Sequence, residues 1–250
     1  DTVTDIDAAG KMVKTAGGQS FAYDRCIVAP GISFKDNIEG YDAAAMTAMP
    51  HAWKAGEQTV ILRKQLEAMK DGGVVGIAAP PNPFRCPPGP YERACQIAMY
   101  LQEHKPKSKV VILDSKDKFS KFGLFQQAFA KHFPNHIEWV AAKDGGKVTR
   151  VDAASNTLYV GDTAHKVDVA NVIPAQQAGA IAIKAGLTND SGWCPIDGRT
   201  FESTMHKGVH VIGDASVASP LPKSGYAANS EGKTAAAAVV ALLNGKEPGD

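Results

Sequence analysis

The residue best placed to do chemistry is Cys86, which follows Arg85 inside PPNPFRCPPGP (80–90), a loop with six prolines in eleven residues. Thiolate is the nucleophilic form of cysteine, and an adjacent guanidinium favours it. The prolines restrict the backbone on both sides and would hold the sulfur in one place, as a reacting atom requires. A buried, inert cysteine is the alternative for the same residues; the flanking prolines favour the reactive one. A second pattern is VHVIGDA (209–215) followed by SPLPKSGYAANSEGK (219–233). A strand ending in Gly213–Asp214 lets the backbone approach a ligand closely, and the aspartate can accept a sugar-type hydroxyl. A helix beginning near Tyr226 would aim its N-terminal N–H groups at whatever Asp214 holds, which suits an anion or a reduced, negatively charged ring. A plain strand–turn–helix is the bland alternative.

Other candidates carry less. Cys26, Cys86, Cys95 and Cys194 form no C-x-x-C pair and have no histidine close by, which argues against zinc. His132/His136 and His206/His210 stand at i,i+4 spacing, but Pro134 interrupts the first pair and Gly208 the second. Both read as ordinary core or surface histidines. Cys95, on a helix, and Cys194, in GWCPID, read as structural.

These residues need a scaffold, and the hydrophobic pattern supplies one. VTDID, KMVKT and SFAYDRCIVAP alternate as three strands, the last running into Pro30–Gly31. EQTVILRKQLEAMK reads as a helix with Val60, Leu62, Leu66 and Met69 near one face. VVGIAAP, then YERACQIAMYLQEHK, then KVVILDS form a βαβ unit over 74–115. A helix near 120–131, a strand at HIEWVAA, a hairpin in VTRVDAASNTLYVG and an apolar run at 166–175 follow. A helix over Gln177–Lys184, a strand over 209–215 and an alanine-rich helix over Tyr226–Leu243 complete the pattern. The fold class is α/β, a Rossmann-like three-layer arrangement with a β-hairpin insertion.

Composition narrows the function. The 250 residues are 44% hydrophobic, and 27 Lys plus Arg against 26 Asp plus Glu leave a net charge of +1. Without a basic excess, a nucleic-acid partner is not expected. The longest apolar run, TAAAAVVALL at 234–243, falls short of the roughly 20 residues of a membrane helix. The βαβ unit should carry G-x-G-x-x-G in its first loop if it binds a dinucleotide. The proline loop stands there instead, and proline lacks the N–H that cradles a pyrophosphate. Nicotinamide dinucleotide binding is therefore not expected in this part.

IVAPG (27–31), FRCPPGPYER (84–93), GLTNDSGWCPID (186–197), HKGVHVIGDA (206–215) and PKSGYAANSEGK (222–233) together resemble the flavoprotein subunit of flavocytochrome c sulfide dehydrogenase. Its relatives are the sulfide:quinone oxidoreductases, among the two-dinucleotide-binding-domain flavoproteins typified by glutathione reductase. The resemblance implies an FAD whose ribityl chain lies on Gly213 and Asp214. It places Lys223, Ser224, Gly225 and Tyr226 under the flavin ring and Pro30 and Gly31 beside it. It makes Cys86, with Arg85 alongside, half of a redox-active disulfide facing the flavin. Sulfide would be the substrate, a cytochrome c subunit the partner and haem acceptor, and the periplasm the location.

The resemblance also implies a discontinuous arrangement: 1–56 and 166–250 as part of an FAD-binding domain, and 57–165 as a degenerate NAD-binding-like domain. The family's glycine motif would precede this sequence and the partner of Cys86 would follow it, since Cys26, Cys95 and Cys194 do not match that partner. The expectation is then an internal fragment, inactive with sulfide by itself although its parent is an enzyme. A sulfide:quinone oxidoreductase, and a flavin-free remnant that keeps a cytochrome-docking surface, are the alternatives.

Overall fold

Four parallel strands, in the order Val169–Val172, Val74–Ala79, Lys109–Asp114 and Ile137–Val140, form the main sheet of the computed structural model, which describes residues 1–249. The chain divides into two compact units, and this sheet belongs to the one made of Lys35–Pro83 and Pro87–Ala175. VVGIAA is buried along nearly its whole length, as a strand covered on both faces must be. Gly76 is required there, because a Cβ would come within 2.9 Å of Val167 Cγ1 and 3.0 Å of Leu158 Cδ1.

The helix Glu57–Ala68 buries Leu62 and Leu66, with Met69 just beyond, while Val60 is 52% exposed. The correction is geometric: residues two apart do not share a helix face, and the 62, 66, 69 spacing sets the inner one. Lys105 closes that helix by donating its ammonium hydrogens to the carbonyls of Glu67, at 2.8 Å, and Met69. In the helix Gly89–His104, Tyr91, Ala94, Ala98 and Leu101 are buried and Cys95 partly so. The expected hairpin is a three-stranded antiparallel sheet, Arg150–Asp152, Thr157–Val160 and Thr163–Lys166; the last strand follows a turn at Gly161 with φ +55°.

At the carboxyl end of the Lys109–Asp114 strand, Asp114 is fully buried and accepts hydrogen bonds from the protein's own groups. The Tyr91 hydroxyl (2.6 Å), Trp139 Nε1 (2.9 Å) and the Lys116 ammonium (2.6 Å) all donate to it. Phe119 stacks on the Tyr91 ring at 3.4 Å. An acid at this point of a nucleotide-binding fold would ordinarily hold ribose hydroxyls.

The other unit comprises Asp1–Phe34, Phe84–Cys86 and Gln176–Asp250, of which 250 lies outside the described residues. It opens with the antiparallel strands Val3–Asp7, Met12–Thr15 and Ser20–Ala22. SFAYDRCIVAP divides into Ser20–Ala22 and Cys26–Val28, because the first pairs antiparallel with Met12–Thr15 and the second parallel with Val209–Val211. Arg25 at the bend turns inward to Glu202 (2.9 Å) and to buried His210 Nε2 (3.2 Å).

Two further boundaries differ from the sequence reading. Gln176–Ala178 is a strand against Ile32–Phe34, and the helix starts only at Ala180. Gly179 separates them: its N–H donates to Gly31 O at 2.9 Å, and a Cβ there would stand 2.6 Å from Pro30 O. The strand at 209–215 ends at Val211, and Gly213–Ala215 forms a 3₁₀ turn that Gly213 enters with φ +72°. The Gly225–Leu243 helix buries Ala227, Glu231, Ala235 and Ala238 on one stripe.

Candidate functional site

Two adjacent parallel strands, Cys26–Val28 and Val209–Val211, set one wall of the site. Ile212 N–H extends their pairing to Val28 O at 3.2 Å. Both chains leave by their carboxyl ends, one into Pro30–Gly31 and the other into Gly213–Asp214, where open α/β sheets hold ligands. Gly31 and Gly213 have φ of +65° and +72°, a region that L side chains avoid.

The Gly213 turn is held from behind. Its N–H donates to Glu231 Oε2 at 2.5 Å, and Glu231 is only 4% exposed. Burial raises the Glu231 carboxyl above the usual range, while the Gly213 N–H and the Lys223 charge draw it back. Lys223 braces the next segment by donating to Asp214 O (2.8 Å) and Ser216 O (2.7 Å). Its ammonium also lies 3.8 Å from the Trp193 ring centroid. Burial pushes the Lys223 ammonium down to about 8, with Asp214 and Glu231 opposing. Ser224 caps the long helix, its Oγ accepting from Ala227 N–H at 3.2 Å, so the helix begins at Gly225. Tyr226 stands 87% exposed.

The Phe84–Cys86 loop belongs to the same unit and docks on this segment through its backbone. Cys86 N–H donates to Lys223 O at 2.7 Å, and Arg85 N–H to Gln176 Oε1 at 2.8 Å. Arg85 Nε lies 3.9 Å from Asp214 Oδ2, so its charge is shared with that carboxylate. Burial raises the Asp214 carboxyl, and Arg85 and Lys223 pull it down. Cys86 itself is exposed, with φ +56°, a left-handed geometry uncommon outside glycine. The two backbone bonds, together with the prolines, fix that geometry.

The other thiols differ from Cys86. Cys194 is buried, and burial pushes it up to about 11. Cys26 and Cys95 are half-buried, and burial raises both. Among the described residues, no group of three or more His, Cys, Asp or Glu is placed to hold a metal ion.

Cys86, Arg85, Asp214 and Lys223 are thus directly linked, with Gly213 and Ser224–Tyr226 contiguous with them and Pro30–Gly31 at the neighbouring strand end. Sequence reasoning missed three participants. Glu231 could have been found as an acid on an alanine stripe at positions 227, 231, 235 and 238. Trp193 and Gln176 gave no such signal. Gln176 is 2% exposed, and its Nε2 donates to no protein group. Positive-φ glycines that admit a ligand backbone-close and a part-exposed acid that can accept hydroxyls are groups that would suit the ribityl chain of a flavin nucleotide.

Residues 59–174 match the family described as the central part of the sulfide dehydrogenase (flavocytochrome c) flavoprotein chain. Solved structures share the fold over almost the whole sequence. The sulfide:quinone oxidoreductase of Aquifex aeolicus is 19% identical with a TM-score of 0.74, covering 98% of this chain and 60% of that one. An NAD-dependent persulfide reductase from A. fulgidus is 17% identical with a TM-score of 0.67, covering 98% and 44%. A chain of the mitochondrial ATP synthase of Tetrahymena thermophila is 19% identical with a TM-score of 0.67, covering 99% and 63%. The chain therefore spans less than two thirds of each of these structures.

Proposed function

We propose that this protein is part of a flavoprotein that oxidises hydrogen sulfide through a redox-active disulfide containing Cys86, with FAD held by the unit that carries Gly213. The observation that carries the reading is the Cys86 N–H to Lys223 O bond of 2.7 Å, which ties the thiol loop to the segment assigned to the flavin. Bound FAD supplies a two-electron acceptor that can release electrons singly. Gly213 and Asp214 would hold its ribityl chain, and Lys223, Ser224, Gly225 and Tyr226, with Pro30 and Gly31, would hold its ring. Cys86 presents its sulfur to solvent, where hydrosulfide can attack the disulfide. A sulfur–sulfur bond to the incoming sulfur forms, the disulfide breaks, and the second cysteine leaves as thiolate. Arg85 holds positive charge near these anions while remaining anchored to Asp214.

The Lys35–Pro83 and Pro87–Ala175 unit acts as a nucleotide-domain relic whose ribose-binding acid is satisfied internally. Electrons pass to a cytochrome c subunit, and the periplasm is the compartment that suits this partner. The likeness to the A. aeolicus enzyme favours one second reading, transfer to a quinone. Among the described residues no helix is long and apolar enough to cross a membrane. Purified full-length protein, given sulfide and either oxidised cytochrome c or a soluble quinone, separates the two. Sulfide-dependent cytochrome reduction that exceeds quinone reduction supports the first reading. Preferential quinone reduction selects the second, and activity with neither overturns both.

A further inference from the structure

The donors around Asp114 come from different places, and two of them bear on the loop that carries Cys86. That loop leaves the strand Val74–Ala79 at Pro80 and runs into the helix Gly89–His104, whose third residue is Tyr91. At its start, the Lys116 ammonium donates to Pro80 O and to Asp114 Oδ1, the latter at 2.6 Å. At its return, the Tyr91 hydroxyl donates to the other carboxylate oxygen, Asp114 Oδ2, also at 2.6 Å. Both ends of the loop are therefore fastened to one ion pair, and Asp114, Lys116 and Tyr91 are all buried. Charge-assisted bonds away from water are the strong ones. Cys86 is six positions past Pro80 and five before Tyr91. The third side-chain donor to Asp114, Trp139 Nε1, comes from the strand Ile137–Val140, outside the loop.

We propose that the Asp114–Lys116 pair clamps both ends of the Cys86 loop, and that Tyr91, Asp114 and Lys116 are positioning residues that narrow the conformations from which Cys86 forms its disulfide. The inference rests on the redox-active disulfide proposed above. A buried ion pair adds little net stability over apolar packing, so the worth of this one lies in holding two chain segments at fixed points. A loop held at both ends has fewer conformations to lose when Cys86 joins its partner, and the disulfide closes at a higher effective concentration. Untying one end frees residues in the dithiol state that must be ordered again on oxidation. Each residue so freed weighs roughly five- to thirtyfold against the disulfide.

The test uses full-length protein equilibrated with mixtures of reduced and oxidised dithiothreitol, quenched by alkylation and mapped at the Cys86 peptide. The two thiols of one dithiothreitol molecule give two electrons and two protons to the protein disulfide and close into a cyclic disulfide, so the ratio reports a two-electron equilibrium. Tyr91→Phe removes the hydroxyl and keeps the ring that stacks on Phe119. Lys116→Met removes the ammonium, and Trp139→Phe, the control, removes a donor to the same Asp114 oxygen from outside the loop. Circular dichroism and melting temperature report folding and the structural cost of each change. Tyr91→Phe and Lys116→Met should shift the dithiol-to-disulfide ratio about tenfold toward dithiol, equal to roughly 30 mV upward for a two-electron couple. Trp139→Phe should keep the wild-type ratio whatever its melting temperature. If Lys116→Met leaves Asp114 too poorly compensated to fold, Tyr91→Phe decides. A wild-type ratio in a folded Tyr91→Phe or Lys116→Met variant, or an equal shift in Trp139→Phe, would overturn the clamp while leaving the disulfide reading intact. Wild-type protein in which Cys86 forms no disulfide would overturn both.

Discussion

Glu231 offers the sharpest test of how the Gly213 turn is built. Its carboxylate accepts the Gly213 N–H at 2.5 Å from a position 4% exposed. Glu231→Ala leaves that N–H without its acceptor, which costs about 1–3 kcal/mol. The lost methylene adds roughly 0.8 kcal/mol. For a chain of this size, each kcal/mol lowers the melting temperature by about 2–4 °C, so a fall of roughly 4–15 °C is expected. Glu231→Gln keeps an acceptor of the same shape and should remain within about 1 kcal/mol of wild type. The pH dependence has a definite sign. Burial raises this carboxyl in the folded state, so the native protein binds the extra proton across the window above the ordinary glutamate value. Stability therefore falls as pH rises through that window and is flat above it, and the Gln variant lacks this slope. Calorimetric melting across pH would measure both effects. A Gln variant as unstable as Ala, or an Ala variant that melts with wild type, would refute the reasoning.

Timed alkylation with peptide mapping on reduced protein should label Cys86 first, since it is exposed while burial raises Cys26, Cys95 and Cys194; earlier labelling of Cys95 or Cys194 would contradict this. Calorimetric titration with NAD or NADP should give no sub-millimolar binding, because prolines occupy the pyrophosphate loop and Asp114 is satisfied by Tyr91, Trp139 and Lys116. Lys223→Met should destabilise by about 2–4 kcal/mol through the loss of two charge-assisted bonds, to Asp214 O and Ser216 O. With the folded Lys223 ammonium near 8, below its unfolded value, the unfolded chain binds more protons above pH 8. Wild-type stability should therefore gain from this group as pH rises from about 8 toward the ordinary lysine value of about 10.4, a contribution missing from the variant.

How much the sequence disclosed follows from the range of each interaction. The βαβ unit over 74–115 was legible because each element carries its own signal: continuous apolar runs for buried strands and helical spacing at Tyr91, Cys95, Ala98 and Leu101 or Gln102, of which Cys95 is only half-buried and Gln102 exposed. The Gly-Asp turn and the long helix were legible in type but not in extent, since the end of the strand depends on the φ of Gly213. SFAYDRCIVAP has the pattern of one strand, and only its two pairing partners, Met12–Thr15 and Val209–Val211, divide it. The pattern likewise suggested that Val60 shared a helix face with Leu62, although two residues turn the helix by about 200°. Gln176 was invisible because its oxygen meets Arg85 N–H across 91 residues of sequence. No local pattern encodes such a contact.

The central claim is that sulfide reaches the flavin through Cys86, and anaerobic titration of full-length protein with sulfide tests it most directly. Visible flavin absorbance in the wild type should bleach on adding sulfide, whereas Cys86→Ser should retain its flavin and stay coloured. Bleaching of Cys86→Ser at the wild-type rate would contradict the account.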